Sequence, residues 1–483
     1  MINLQPISNV IGVLLIVLGM AMLLCLPVSW YFNSGDGSAL LNAGSITMIC
    51  GILSWKYRFN ENPESLNKRE GILIVAASWI FMSLFSALPY LFSDTLVSPA
   101  NAIFESVSGL TTTGASVFDD IEVLPEGILF WRSLTQWIGG MGIIVLTVAL
   151  FPLLGIAGIE LFTAESPGPT TEKIHPRIKE TAKRLWLLYI GITLLCATLF
   201  YFEGMTMFEA INHAFTTMAT GGFSTRNASM AAFSPLIQYT ATLFMFIAGT
   251  NYFIIYSLAK GRFRRVWFND EFRLYTIVVL FFTLVMTIGV FYRTDNSLEQ
   301  SFREVVFQVV SLITTTGFVS ADYTAWGYGL TAICFLLLFI GASAGSTAGG
   351  IKIIRHLVFI KNTLLEFKRI LHPRAIIRIK INKEIVAPKI LTHILVFLLI
   401  YLGVFIMGTF ALALMEYDLL TAAGAVATCL GNVGPGIGDV GPMNNFSGLS
   451  DLAKFFLSLI MIIGRLELFT ILFLFTPYFW KVN

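Results

Sequence analysis

Long apolar runs recur along the chain, separated by short polar or basic stretches. Each run has about the 18 residues or more needed to cross a hydrocarbon core. The pattern predicts ten membrane helices, at 10–32, 38–55, 71–92, 127–151, 184–203, 235–258, 272–292, 328–360 with a break inside, 391–415 and 451–476. The ten-residue in-and-out alternation of a membrane barrel is not seen, so the expected fold class is an all-α polytopic membrane protein. Between the spans lie segments too polar or too short to cross, ending near 114, 221, 317 and 434.

Composition agrees. The chain is 56% hydrophobic and 12% charged, about half the charged fraction of a soluble domain, and its mean hydropathy is +0.78. Of 31 Lys and Arg, 25 fall in five regions on one side of the predicted spans: 56–69, 173–184, 260–273, 352–389 and Lys481. The excess of basic residues on cytoplasmic loops then sets both termini in the cytoplasm. The polar interruptions all fall on the other side, where they read as re-entrant loops. Cys25, Cys50, Cys196, Cys334 and Cys429 sit in apolar surroundings without close spacing and read as core residues. The N-terminus lacks a basic leader and cleavage site, so the first run is expected to stay.

The interruptions repeat. "GLTTTGAS" (109–116), "TTMATGGFS" (216–224), "LITTTGFVS" (312–320) and "CLGNVGPGIG" (429–438) align on Gly114, Gly221, Gly317 and Gly434. Each follows an amphipathic stretch of two or three helical turns and stands between two spans. The second span carries its own glycine: Gly139, Gly249, Gly341 and Gly464. The unit is helix, half-helix, glycine loop, helix, used four times. The chain divides into an N-terminal pair of helices (1–58) and repeats at 59–172, 173–262, 263–380 and 381–483. Non-helical backbone at membrane depth is tolerable only in protein or beside water. Four such loops in pseudo-fourfold arrangement can turn carbonyls inward to replace a cation's hydration shell. Glycine supplies the backbone angles, and the half-helix C-termini favour positive charge. The loops carry no carboxylate, which favours a monovalent ion over calcium.

This pattern resembles the Trk/Ktr/HKT potassium transporter superfamily, and within it the TrkH/TrkG branch. The narrowing features are the extra helices of 1–58, the run "GASAGSTAGG" (341–350) and "GRLELFT" (464–470). The resemblance covers essentially the whole chain. It implies potassium uptake across a bacterial inner membrane by a homodimer with one pore per protomer. It also implies a cytoplasmic, nucleotide-binding, TrkA-like ring as partner, the only route by which nucleotide would act. Potassium would be held by filter carbonyls of Thr112, Thr113, Ala219, Thr220, Thr315, Thr316, Asn432 and Val433 with the four glycines. No covalent cofactor, catalytic residue or nucleic-acid partner is expected. Glycine at 114 favours potassium over sodium, since sodium-selective plant relatives carry serine there.

The small-residue run 341–350 reads equally as a segment able to unwind or as a close helix contact. The resemblance implies an intramembrane gating loop, with Gly341, Gly345, Ser346, Gly349 and Gly350, held by Arg465. By itself, Arg465 in an apolar helix should face a cavity or a partner, and Glu467 is the nearest candidate for an ion pair. The ten basic residues of 352–389 suit anionic lipid, and the alternation in "RAIIRIKI" suits a hairpin that docks a partner. His213 and Asn212 read as a packing hydrogen-bond pair. The alternative function is a proton- or sodium-coupled symporter, against which the shared orientation of the repeats argues. Enzyme motifs such as HExxH or a Walker loop do not occur.

Overall fold

Proline and glycine decide where the long apolar runs stop being straight helices. The computed structural model describes residues 4–56, 68–142, 178–374 and 377–480. The first run bends between Leu4–Leu23 and Leu26–Phe32, where Pro27 opens the second piece, and the third between Lys68–Ser86 and Leu88–Phe92 at Pro89. The N-terminal pair, Leu4–Leu23 with Gly37–Lys56, crosses at glycines. A β-carbon at Gly19 would lie 2.8 Å from the Gly44 carbonyl, and one at Gly51 2.8 Å from that of Gly12. Such close backbone approach replaces the hydrophobic driving force that lipid cannot supply.

Each repeat then opens with a long helix: Lys68–Ser86, Ile178–Phe202, Asp270–Arg293 and Pro388–Ala413. A short pore helix follows: Pro99–Leu110, Met207–Met218, Leu298–Ile313 and Leu419–Gly431. Side-chain caps start three of these: Thr206 with Glu209 in a reciprocal box, Ser297, and Asp418, which accepts from the amides of Leu420 and Thr421. The caps satisfy backbone donors that lipid could not.

The second helix of every repeat breaks near its glycine. In repeat 1, Glu126–Trp137 passes into a π-helical turn, Ile138–Gly142; the rest of the expected 127–151 span lies outside the described residues. In repeat 2 the expected span 235–258 is two helices, Pro235–Ala248 and Tyr252–Ala259, at 107°. Repeat 3 has Tyr328–Leu337, a non-helical stretch, and then Ile353–Leu371, so the break expected inside 328–360 is present. In repeat 4 the expected span 451–476 turns by 112° between Asp451–Arg465 and Phe469–Phe475. Among the described residues six helices are long and apolar enough to cross a membrane, or eight if each bent pair counts once. The remaining two of the ten expected spans are the second helices of repeats 1 and 3.

Two apolar cores flank the centre. One joins the N-terminal pair with repeats 1 and 4 through Leu18, Trp79, Phe104, Trp131 and Leu457. The other joins repeats 2 and 3 through Phe200, Phe244, Phe307 and Leu337. Leu195, Leu280, Leu284, Leu399 and Met407 point outward and exposed, as helices facing lipid require. Among the described residues the helical fold carries one two-stranded hairpin, in which Lys380 pairs with Ile385 and Ile381 with Glu384. Asn382 and Lys383 turn it at positive φ, and it bears out the alternation seen in the basic stretch.

Candidate functional site

All four pore helices end in the same backbone. One residue adopts the left-handed conformation: Thr112 (φ 54°), Thr220 (53°), Thr315 (54°) and Asn432 (54°). The next amide turns back onto a carbonyl five residues earlier: Thr113 to Ser108 at 2.9 Å, Gly221 to Thr216 at 2.8 Å, Thr316 to Ser311 at 2.9 Å and Val433 to Thr428 at 3.0 Å. A glycine at positive φ follows: Gly114 (81°), Gly222 (76°), Gly317 (78°) and Gly434 (102°). The alignment of Gly221 with Gly114 is therefore one residue out. Gly222 is the counterpart, Gly221 stands with Thr113, Thr316 and Val433, and Ala219 stands with the capping residues Thr111 and Thr314.

The glycines show that the loops form a closed ring. A β-carbon at Gly114 would overlap the carbonyl oxygen of Gly221, and one at Gly222 that of Thr316. One at Gly317 would overlap that of Val433, and one at Gly434 would lie 2.8 Å from that of Thr113. Repeat 1 thus abuts 2, 2 abuts 3, 3 abuts 4, and 4 returns to 1. Backbone oxygens cannot swing aside as a flexible side chain can, so any side chain here would distort the ring. Among the described residues no donor is bonded to the carbonyls of Thr112, Thr113, Thr220, Thr315, Thr316, Asn432 or Val433. Buried carbonyls are nearly always paired; a ring left free suits a ligand that is a cation.

Three of the four loops are braced from behind by a polar side chain of their pore helix. The residue six before the cap is Glu105, His213, Gln308 or Ala425. Glu105 is wholly buried, pairs with buried Arg132 at 2.8 Å and accepts from the Val117 amide at 3.0 Å. Arg132 also lies 4.1 Å from the centroid of the Phe223 ring. His213 bonds the Glu209 carbonyl at 2.8 Å and the Ser224 hydroxyl at 2.9 Å, and the Gln308 amide donates to the Ala321 carbonyl at 3.1 Å. Asn212 instead donates to Phe208, so these neighbours each find partners elsewhere and do not form a pair. Hydroxyls at Thr111 and Thr113, and at Thr314 and Thr316, meet at 2.7 Å.

Past the glycines, the connecting loops are tied around the same circuit. Asn227 donates to Asp120 at 2.8 Å, the Val319 amide donates to the Ser229 hydroxyl at 3.2 Å and the Tyr323 hydroxyl to Gly436 at 2.6 Å. Repeats 4 and 1 join through Phe446 to Ser116 at 2.8 Å and through Asp119. Hydrogen bonds from Ser447 and Asn445 and the nearby Lys454 charge hold the Asp119 carboxyl below its usual range.

At the helix-end side of the ring lies the non-helical stretch of repeat 3. The Gly349 amide donates to the Thr315 hydroxyl at 2.7 Å, and a β-carbon there would be 2.6 Å from the Gly431 carbonyl. The Thr347 hydroxyl donates to Met218 at 3.1 Å and lies 3.3 Å from that of Thr220. Gly345 (φ 74°) and Gly350 (φ 65°) turn the stretch, Ser346 donates to Ser343 at 2.6 Å, and Gly341 packs against Gly349. Arg465 donates to Thr347 at 2.9 Å and to Gly139 and Gly140 at 2.8 and 3.2 Å, carbonyls of the π-helical turn. The stretch thereby touches repeats 2 and 4 directly and repeat 1 through Arg465. Glu467 pairs with Arg355. Thr347, the hub of these contacts, gave no sequence signal beyond membership of a small-residue run.

A family model described as TrkH, cation transport protein, matches residues 37–481. The chain is 40% identical over 482 residues to the Trk system potassium uptake protein TrkH of Salmonella typhimurium, covering 99% of each chain. It is 32% identical to TrkG of Escherichia coli K12, again over 99% of each. The crystal structure of the potassium transporter TrkH from Vibrio parahaemolyticus superposes with a TM-score of 0.89 at 36% identity, covering 99% of this chain and all of that one.

Proposed function

The chain belongs to the TrkH family of cation transport proteins, and from that premise we propose that it carries potassium into the cell through one central pore per protomer. The observation that carries the proposal is the closed circuit of glycine-to-carbonyl contacts among Gly114, Gly222, Gly317 and Gly434, lined by oxygens that, save that of Gly221, have no donor among the described residues. In this reading the potassium ligands are carbonyls of Thr112, Thr113, Thr220, Gly221, Thr315, Thr316, Asn432 and Val433. The ends of four pore helices add negative potential where the ion sheds water.

The stretch with Gly341, Gly345, Ser346, Gly349 and Gly350 acts as a gate beneath this filter. Arg465 acts as its latch, a role supported by its three carbonyl partners. The protein works as a homodimer in the inner membrane with both termini cytoplasmic, as its basic loops favour. A TrkA-like, nucleotide-binding ring docks on the basic cytoplasmic face and moves the gate; the hairpin at 380–385 is a suitable contact. The names of the relatives, each a Trk system potassium uptake protein, support a multi-subunit system.

Purified protein in planar bilayers tests this. A reversal potential that follows the potassium gradient and ignores sodium and pH is expected. A potential that shifts with pH or sodium would instead establish a coupled symporter, and absence of any cation current would remove the proposal.

A further inference from the structure

We propose that Gln136 is a positioning residue of the filter: its side-chain amide, supplied by repeat 1, sets the place and field of one carbonyl in repeat 2. The proposal rests on the ring being the ion-selective site.

Gln136 is fully buried on the helix Glu126–Trp137. Its Nε2 donates to the Gly221 carbonyl at 2.6 Å, and its Oε1 accepts from the Phe223 amide at 3.0 Å. A backbone amide only donates and a carbonyl only accepts, so the orientation of the side chain is fixed by its partners. Both ends are used, which clamps residues 221–223.

Gly221 stands level with Thr113, Thr316 and Val433, and it differs from them in two ways. It has no side chain, and a β-carbon there would lie 2.5 Å from Gln136 Oε1 and 2.8 Å from Nε2. Its carbonyl is also the one at that level with a side-chain donor among the described residues. Repeats 1 and 3 fasten this level with hydroxyl pairs, Thr111 with Thr113 and Thr314 with Thr316. Repeat 2 has Ala219 and Gly221 in those places and cannot. The neighbouring amide occupies the space and takes over the fastening. The residues at the corresponding place in the other second helices, three before Gly249, Gly341 and Gly464, are Phe246, Leu338 and Met461, none with a side-chain donor. The double glycine of "ATGGFS" and the glutamine of "LTQWIGG" are therefore two halves of one contact.

The carbonyl layer is then unequal by design of sequence. Three oxygens are free to follow the ion, and the fourth is held and partly drawn back by an amide. Selectivity between potassium and sodium depends on such field strength and freedom.

The test is bi-ionic reversal potential of purified variants in bilayers, with monodisperse elution as the check on folding. Gln136→Met keeps the volume and loses both bonds. The potassium-to-sodium permeability ratio should fall by about fivefold to tenfold, the scale of one buried hydrogen bond. Gln136→Glu keeps the bond from Phe223 but turns an oxygen against the Gly221 carbonyl, and should lower the ratio further. Gly221→Ser alone should also lower it, whereas adding Gly221→Ser to Gln136→Ala should restore part of what Gln136→Ala loses. Should Gln136→Met fail to fold, the other variants carry the same test. Wild-type ratios in Gln136→Met or Gln136→Glu, or independent effects in the double variant, would overturn the role of Gln136. A wild-type protein that does not prefer potassium would overturn the filter reading itself.

Discussion

The four pore loops and the four helices that follow them obey the same sequence rule, one glycine per repeat, and end differently. The loops reproduce one backbone, with φ at the left-handed residue spanning 53° to 54°. The second helices all break near their glycine, yet by a π-helical turn, a 107° bend, a non-helical stretch and a 112° bend. The difference follows from what each region must hold. Replacing a hydration shell requires oxygens at matched distances from one axis, and that leaves little room for divergence. On the same proposal the region below would have no ion to surround. There a single obstruction would serve one pore, and repeat 3 alone supplies the non-helical stretch that the other repeats contact. Fourfold likeness ends where the ring of carbonyls ends.

The sharpest way to break this comparison is to give one loop a side chain. Gly317→Ala must hold alanine at φ 78° and place a carbon on the Val433 carbonyl. The left-handed angle costs about 1–2 kcal/mol, and relieving the overlap displaces a coordinating oxygen. Misplacement by an ångström costs about a hundredfold where geometry decides rate, so potassium uptake in a potassium-starved host should fall by about that factor. An alanine at Gly329, which meets open space, is the matched control and should leave uptake unchanged.

Below the ring, Arg465→Ala should act in the opposite direction. It removes charged hydrogen bonds to Thr347, Gly139 and Gly140, each worth about 1.5–3 kcal/mol. The stretch 341–350 loses its tie to repeat 1, and basal rubidium-tracer flux in liposomes should rise by about tenfold, the shift that a bond of that size allows. Unchanged flux would detach the arginine from gating. Glu467→Gln should do less to flux and more to stability. It leaves the Arg355 guanidinium, 7% exposed, without its carboxylate; buried pairs broken this way lose about 3–5 kcal/mol, and partial exposure of Glu467 trims that to about 2 kcal/mol. A lowered melting temperature with flux nearly intact is the expected readout.

How much of this the sequence disclosed depends on whether the deciding contact is local. The fourfold unit was legible because each loop follows its own pore helix and carries its own glycine. Repeat 2 offers two adjacent glycines, and nothing in "ATGGFS" says which is at positive φ. The answer lies 85 residues earlier, in the side chain of Gln136. Hydropathy likewise could not show that 235–258 and 451–476 turn sharply, because apolar residues continue through both bends. The local signals were Asn251, which caps the second piece of repeat 2 through the Phe253 amide, and the left-handed pair Glu467 and Leu468. Arg465 was recognisable as a charge needing a partner. That Glu467 pairs with Arg355 instead follows from the end of the helix at Arg465, after which Glu467 stands at positive φ.

The smallest effect expected lies at the far end of the ring, where the loops are tied at the surface. Asp119 accepts from Ser447 at 2.6 Å and from Asn445 at 2.9 Å, joining the first repeat to the last. Those bonds favour the ionised carboxyl and hold its pKa below the ordinary value. A depressed folded-state pKa contributes stability that is present above the unfolded value, about 3.9 for aspartate, and is lost as pH falls through the folded one. The melting-temperature difference between wild type and Asp119→Asn should therefore be small and constant at neutral and mildly acid pH. It should close only below the ordinary aspartate range, with the potassium-to-sodium ratio unaltered throughout. A difference that persists in acid would mean the asparagine disturbs packing and not charge. A changed ratio would mean that these surface ties, and not only the contacts behind the carbonyls, set the spacing of the ring.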